Sequence, residues 1–115
     1  MVNGPTFNSK LKEIDAVNKI ITIEFVDTKM PTSGVTEITS IGLDGDDGVV
    51  GWYTPYGNVY ISSQKTGQKV IANANFLEMF SELRNVENIQ FDNFDTSKVT
   101  DMSYMFSYAG KMATT

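Results

Sequence analysis

Residues 93–106 read Asn-Phe-Asp-Thr-Ser-Lys-Val-Thr-Asp-Met-Ser-Tyr-Met-Phe. The tripeptide that overlaps their end, Met105–Ser107, repeats Met79–Ser81 with a 26-residue offset. Under the same offset the corresponding pairs are Asn75 with Asp101, Phe76 with Met102, Leu83 with Ala109, and Val86 with Met112. Apolar positions stay apolar, and a period of roughly 20 to 50 residues is typical of repeat proteins. The chain therefore contains either two successive repeat units or two unrelated amphipathic helices that share a short motif by chance.

The segment that contains the earlier copy has the pattern of an amphipathic helix. Its apolar residues at positions 76, 79, 80 and 83 fall on one helical stripe. Asn75 is a suitable N-cap, and Glu78 at the third helical position completes a capping box. Apolar residues at positions 86, 89, 91 and 94 then follow at spacings of three, two and three, which is the rhythm of a leucine-rich repeat. We therefore predict a helix over 76–83 followed by the strand of a repeat.

The stretch Phe94–Phe106 resembles the signature of the BspA-like leucine-rich-repeat surface proteins. That family carries a phrase of the form F-D-T-S-x-V-T-x-M-x-x-M-F, and the match here is almost without gaps. The preceding unit departs further, because Phe76–Phe80 reads Phe-Leu-Glu-Met-Phe where the family has Met-x-x-Met-Phe. Such a departure is expected of a first, atypical repeat beside a cap. Residues 1–72 also resemble the segments that precede these arrays, notably at Val50–Tyr53 and Val59–Ser63.

The resemblance implies a β/α solenoid in which each unit buries its apolar face against its neighbour. Residues 73–115 would then form one leucine-rich-repeat-like unit and part of another. The side chains expected in the shared repeat core are those of Phe76, Met79, Phe80, Ile89, Phe91, Phe94, Met102, Met105 and Phe106. Methionine and phenylalanine at these spacings fit a packed core better than a cofactor site. We expect no cofactor.

Residues 1–72 predict a small β-rich unit that caps the repeats. Apolar residues at positions 7, 11 and 14 have helical spacing, and either Asn8 or Ser9 is the expected N-cap. Strands are predicted within Lys19–Val26, Val35–Leu43, Val49–Tyr53, Val59–Ser63 and Lys69–Ala72. The third and fourth of these form a hairpin. The predicted fold class is α+β: a small antiparallel sheet with a short helix, followed by the start of the solenoid, in a single compact domain.

The composition excludes several classes of chemistry. The chain has 115 residues, a net charge of −5, and neither Cys nor His, so it has no thiolate nucleophile, imidazole base, disulfide or zinc site of those ligands. Nucleic acid is not an expected partner, because no basic residue lies between Met30 and Gln64. No apolar run approaches the roughly 18 to 20 residues that cross a bilayer, and residues 1–7 lack a signal-peptide pattern.

Acidic residues raise two further hypotheses. Asp44–Gly48 reads Asp-Gly-Asp-Asp-Gly, but an EF-hand loop starting at Asp44 would place Val49 where glycine is needed and Pro55 where glutamate is needed. A solvated turn fits better, with a weak cation site as the alternative. The number of carboxylates permits a glycosidase, yet a chain of 115 residues offers little depth for a cleft. We expect neither an enzyme nor a metal site.

The predicted hairpin carries four candidate ligand-binding residues, Trp52, Tyr53, Tyr56 and Tyr60. Exposed aromatic side chains of these types anchor protein and glycan contacts. Strand alternation turns Trp52 and Tyr53 to opposite faces, so at least one of them is expected to face solvent. The alternative is that most of the four pack the small sheet.

The resemblance implies a non-enzymatic adhesion or protein-interaction module at a bacterial cell surface or in a secreted protein. A protein or a host-matrix component would be the ligand. Two alternatives remain: a purely structural cap for the repeat array, and a carbohydrate-binding module that uses the aromatic hairpin. Because a solenoid needs a polar closing unit and none is evident, we expect either a fragment of a longer repeat protein or self-association through the open solenoid end.

Overall fold

The computed structural model describes residues 3–17, 19–38, 49–63, 67–72 and 74–106. Its elements are α1 (Gly4–Asp15), β1 (Thr22–Val26), β2 (Thr36–Ile38), β3 (Val50–Tyr53), β4 (Asn58–Ser62), β5 (Val70–Ile71), β6 (Asn88–Gln90) and β7 (Phe94–Asp95). The chain is therefore a small mixed α+β fold, as predicted at this level. The turn predicted at Asp44–Gly48 and the continuation of the second unit beyond Phe106 lie outside the described residues.

Helix α1 begins earlier than the sequence analysis expected. The side chain of Asn3 accepts a hydrogen bond of 2.9 Å from the backbone N–H of Thr6, and a proline stands in the first turn. The predicted N-caps, Asn8 and Ser9, are therefore wrong, because Asn3 and the proline start the helix one turn before them. The apolar residues at positions 7, 11 and 14 are buried on one face, as their spacing predicts.

The larger sheet has five strands in the order β2-β3-β4-β1-β6. The predicted hairpin is confirmed, since β3 and β4 pair antiparallel, and β2 pairs antiparallel with β3. The prediction of an antiparallel sheet is wrong for the half of the sheet that contains β1, because β1 is parallel to both β4 and β6. Parallel strands that are neighbours in a sheet need long connections. Turn signals in the sequence identify only pairs of strands that are joined by short connections, so they did not predict the parallel pairs.

A second, two-stranded sheet continues the parallel arrangement. The strand predicted within Lys69–Ala72 is present as β5, but it pairs with β7 and not with the larger sheet. Val70 lies opposite Phe94, and Ile71 lies opposite Asp95. The chain after β4 and the chain after β6 thus run side by side in the same direction.

The helix predicted over 76–83 is absent, and this part of the chain forms turns. Glu78 and Glu82 have φ angles of 58° and 64°, in the left-handed region that an α-helix does not use. The apolar residues at positions 76, 79, 80 and 83 are nevertheless all fully buried. The stripe therefore identified the core correctly, but it assigned the wrong backbone conformation.

The core lies between the inner face of the larger sheet and the turns that follow β5. β1 contributes Ile23 and Phe25, and β4 contributes Val59 and Ile61, all fully buried. The ring of Phe25 lies 4.1 Å from that of Phe94, between centroids. These contacts join residues on both sides of position 72 in one hydrophobic cluster.

The turn between β3 and β4 brings the backbone close to the start of β1. Gly57 has a φ angle of 86°, and its carbonyl accepts hydrogen bonds from the N–H groups of Ile21 and Thr22, at 2.7 and 3.2 Å. A Cβ atom at Gly57 would lie 2.4 Å from the carbonyl oxygen of Lys19. Neither the conformation nor the space suits another residue.

We predict that Gly57→Ala lowers the free energy of unfolding by about 2–3 kcal/mol, since it adds a backbone clash to an unfavourable φ. Gly34→Ala is the matched control, because Gly34 has a φ of 80° but nothing lies within 4 Å of its Cβ position. That variant should lose only about 1 kcal/mol, the conformational part. Urea denaturation measures both, and equal losses would contradict the close approach at Gly57.

Candidate functional site

Two segments with the same local backbone lie next to each other after β5 and after β7. The inner segment is residues 74–82, and the outer segment is residues 100–106. In each, one side chain near the start, Asn75 or Asp101, accepts a hydrogen bond from the backbone N–H two residues later, at 3.0 and 2.9 Å. Asn75 and Asp101 also pair with each other in a parallel bridge.

The turn that follows is the same in both segments. Glu78 and Tyr104 have φ angles of 58° and 56°. The next residues, Met79 and Met105, donate their N–H groups to the carbonyl three residues earlier, at 3.3 and 3.2 Å. Both methionine side chains are buried. The 26-residue offset in the sequence thus relates two segments with the same turn.

Direct backbone hydrogen bonds join the two segments. The N–H groups of the inner segment donate to carbonyl oxygens of the outer segment in three pairs: Phe76 to Asp101 at 2.8 Å, Glu78 to Ser103 at 2.9 Å, and Phe80 to Met105 at 2.8 Å. The ring of Phe106 stacks on that of Phe80, with centroids 5.6 Å apart and planes 15° from parallel. The outer segment therefore covers the donors of the inner segment and the apolar residues beside them.

Helix α1 covers the opposite side of the inner segment. The backbone N–H of Gly4 donates to the carbonyl of Asn75 at 2.7 Å. The side-chain amide of Asn8, which is buried, donates to the carbonyls of Met79 and Ser81 at 3.3 and 2.9 Å. A Cβ at Gly4 would lie 2.4 Å from the carbonyl oxygen of Leu77, so the helix lies directly against the backbone. The inner segment is thus hydrogen-bonded on both sides.

The role of Asn8 was missed by the sequence analysis, which assigned it to a helix N-cap. A signal was present, because Asn8 borders the apolar stripe formed by positions 7, 11 and 14 and lies one turn before Leu11. A polar side chain on the buried face of a helix must find hydrogen-bond partners. The sequence does not show which distant carbonyls those partners are.

We predict that Asn8→Ala lowers the free energy of unfolding by about 2–3 kcal/mol, because two carbonyls covered by the helix lose their donor. Lys12→Ala is the control: Lys12 also bridges α1 to the inner segment, through an ion pair of 3.0 Å with Glu82, but both side chains are about half exposed. Its loss should cost less than about 1 kcal/mol. Chemical denaturation distinguishes the two, and a larger loss for Lys12→Ala would contradict the role of Asn8 as the buried donor to the inner segment.

The outer segment leaves an apolar surface, here called the open end. It contains a groove of about 320 Å³ lined by Phe91, Phe94, Thr96, Met102, Met105 and Phe106. Phe91, Met102 and Phe106 are 38, 43 and 49% exposed. In the preceding segment, Phe76 and Phe80 correspond to Met102 and Phe106 and are fully buried. The open end therefore corresponds to the surface that the inner segment would expose if the outer segment did not cover it.

The nine residues predicted for the repeat core fall into a buried or partly buried group and an exposed group. Phe76, Met79, Phe80, Phe94 and Met105 are buried, and Ile89 is partly buried against them. The predicted burial of Phe91, Met102 and Phe106 was wrong, because no segment among the described residues stacks beyond the outer one. These three side chains are exposed where the stacking ends.

The outer face of the larger sheet carries an aromatic pair between carboxylates. Strand register places Glu37, Trp52, Tyr60 and Glu24 in one row across β2, β3, β4 and β1. The rings of Trp52 and Tyr60 stack with centroids 5.7 Å apart. Beside them lies a groove of about 340 Å³, here called the aromatic groove, lined by Val26, Thr28, Lys29, Pro31, Val35, Trp52, Thr54 and Tyr60.

The four candidate ligand-binding residues do not converge on one site. Trp52 is only 3% exposed, Tyr53 packs partly against the core on the other face of the sheet, and Tyr60 is partly buried. Tyr56 is 82% exposed, in the turn that joins β3 and β4. The structure therefore brings together only Trp52 and Tyr60.

Three carboxylates have pKa values that are lowered by hydrogen bonds. The backbone N–H of Ser103 lowers the pKa of Asp101, and that of Ser97 lowers the pKa of Asp95 in the same way. The hydrogen bond from Lys12 lowers the pKa of Glu82. Within the ranges that the structure describes, no three acidic residues lie close enough to hold a metal ion. No helix in those ranges has the length and apolar character to span a bilayer.

We predict that Asp101→Asn makes stability less dependent on acid pH. The folded-state pKa of Asp101 lies below its ordinary 3.8, so its ionised form contributes stability above that pH and loses it as the pH falls through the lower folded value. The asparagine oxygen keeps the hydrogen bond, as Asn75 does in the inner segment. Thermal unfolding followed over about three pH units, between pH 5 and pH 2, should therefore show a shallower acid loss for the variant.

The control for that measurement is Asp92→Asn. This change also removes one carboxylate, but one that accepts no hydrogen bond from the described residues. Its stability should fall with pH as steeply as that of the unchanged chain. If Asp101→Asn also follows the unchanged chain, ionisation of Asp101 does not contribute to the acid dependence of stability.

No protein-family model, no curated protein and no solved structure matches the chain. The resemblance of Phe94–Phe106 to the BspA-like proteins therefore stays a prediction.

Proposed function

We propose that the chain is the capped start of a leucine-rich-repeat-like solenoid and serves as a non-enzymatic interaction module at a bacterial surface. The observation that carries this proposal is the shared turn of the inner and outer segments, which follow the 26-residue offset and are hydrogen-bonded in parallel. Translation of one unit onto the next is the basis of a solenoid. The phrase at Phe94–Phe106 supports the BspA-like kind.

The two ends of the stack support a cap followed by repeats. Asn8 and Gly4 of α1 occupy the carbonyls on one side of the inner segment. Three partly exposed apolar side chains lie at the open end on the other side. A terminal unit of a repeat array has this asymmetry: one face closed, the other prepared for a neighbour. Residues 1–72 would provide the closed face.

A binding role fits the described surface better than catalysis does. The three carboxylates with lowered pKa values are engaged in hydrogen bonds, and none of them lines either groove. An active site instead gathers titratable groups in a cleft. The grooves are lined mainly by apolar and aromatic side chains, which suit contacts with another protein.

The repeat proposal is tested by lengthening the stack. A second copy of residues 81–106 inserted after Phe106 would add one full unit with the 26-residue spacing. Its outer segment would bury the residues now exposed at the open end, so we expect Tm to rise by about 5 °C or more in a single cooperative transition. A scrambled insert of the same composition is the control. An insert that is cleaved by protease and leaves Tm unchanged would contradict the proposal.

The interaction role needs a separate test. Pull-down from an extracellular-matrix extract should recover a protein ligand with the unchanged chain and with the lengthened one.

A glycan array examines the carbohydrate alternative, which the groove beside Trp52 and Tyr60 favours. Because Trp52 is almost completely buried, sugar stacking would fall on Tyr60, and Tyr60→Ala should then abolish glycan binding while Tyr56→Ala should not. Absence of binding in both assays would favour a purely structural cap.

A further inference from the structure

The outer segment presents a row of backbone donors at the open end. In the inner segment the N–H groups of alternate residues donate to the outer one, starting at Phe76. The N–H groups at the corresponding positions of the outer segment are those of Met102, Tyr104 and Phe106, here called the donor strip. No carbonyl among the described residues accepts a hydrogen bond from them. The side chains of these three residues are 43, 70 and 49% exposed, so a partner can reach the strip.

The structure itself shows what covers such a strip. Over the inner segment, three carbonyls of alternate residues lie 2.8–2.9 Å from the donors, and the Phe106 ring stacks 5.6 Å from the Phe80 ring. A segment placed the same way over the outer one would bring carbonyls to the donor strip and an aromatic ring onto Phe106. The groove of about 320 Å³ beside Met102 and Phe106 offers room for its apolar side chains.

We infer that the open end is a docking site for a peptide segment of the same repeat phrase, supplied by another chain. The segment would add its backbone to the donor strip and its Met and Phe side chains to the groove, a form of edge addition. The inference rests on the proposed repeat, and it goes further by making the open end a site for binding in trans.

A second intact copy of the chain does not fit this site. In a two-fold dimer of open ends the donor strip would meet another donor strip, and neither would gain an acceptor. In a head-to-tail arrangement the strip would need the carbonyls of Asn75, Leu77 and Met79, the counterparts of the three outer carbonyls that cover the inner segment. Gly4 and Asn8 already occupy the carbonyls of Asn75 and Met79, and Gly4 lies directly against that of Leu77. Helix α1 therefore blocks polymerisation, and the site selects a segment whose carbonyls are free.

The test uses the full chain and a synthetic peptide with the sequence of Phe94–Phe106. That peptide carries the three carbonyls, at Asp101, Ser103 and Met105, that cover the inner segment. Amide hydrogen exchange followed by NMR should slow by about tenfold or more at Met102, Tyr104 and Phe106 of the protein at saturating peptide. A control peptide with Met102→Asp and Phe106→Asp keeps every backbone carbonyl and should give no protection.

In the protein, Phe106→Asp should abolish docking of the peptide. If the Phe106→Asp protein does not fold, the comparison of the two peptides on the unchanged protein still tests the inference. Unchanged exchange at the donor strip, or equal protection by both peptides, would overturn the inference. Dimerisation of the chain alone, measured by analytical ultracentrifugation, would also overturn it, because the donor strip excludes a second intact copy. If the inserted unit raises Tm but the peptide fails to protect the strip, only docking in trans is refuted and the repeat proposal survives.

Discussion

The inner segment, residues 74–82, makes backbone hydrogen bonds to the outer segment on one side and to α1 on the other. The rest of the structure depends on these bonds. An α-helix pairs each N–H with a carbonyl of its own chain segment, whereas the donors at Phe76, Glu78 and Phe80 pair with the outer segment. The carbonyls of Asn75, Met79 and Ser81 pair with α1. Since a buried polar group without a partner costs about 1–3 kcal/mol, the inner segment requires both neighbours at once.

Aromatic rings follow the same direction of stacking. Phe7 of α1 contacts Phe80 edge-on at 6.2 Å, and Phe106 stacks on the other side of Phe80 at 5.6 Å. The hydrophobic core is thus continuous from α1 through the inner segment to the open end. Burial decreases in the same order, because Phe7 and Phe80 are fully buried and Phe106 is half exposed. Hydrogen bonding and packing therefore both show that α1 covers one side of the two segments and that the open end is partly exposed on the other.

Local sequence patterns predicted the features that depend on neighbouring residues. The face of α1 that carries Phe7, the hairpin of β3 and β4, and burial of the stripe around Met79 all follow from spacing and turn chemistry. The 26-residue offset likewise identified two segments with the same turn. What failed depends on long-range contacts or on unusual backbone angles. The parallel pairing of β1 joins strands that are far apart in sequence. The positive φ angles of Glu78 and Tyr104 cannot be predicted from residue type, because neither glutamate nor tyrosine favours that conformation.

Native-state hydrogen exchange of the inner segment tests whether its backbone is joined to that of the outer segment. The amides of Phe76, Glu78 and Phe80 donate to the outer segment, while the amide of Leu77 between them bonds only to the exposed Asn75 side chain. We expect slow exchange at the three alternate positions, limited by unfolding of the whole domain, and fast exchange at Leu77. Exchange at Phe76, Glu78 and Phe80 as fast as at Leu77 would contradict this expectation, because the two segments would then not be joined through their backbones.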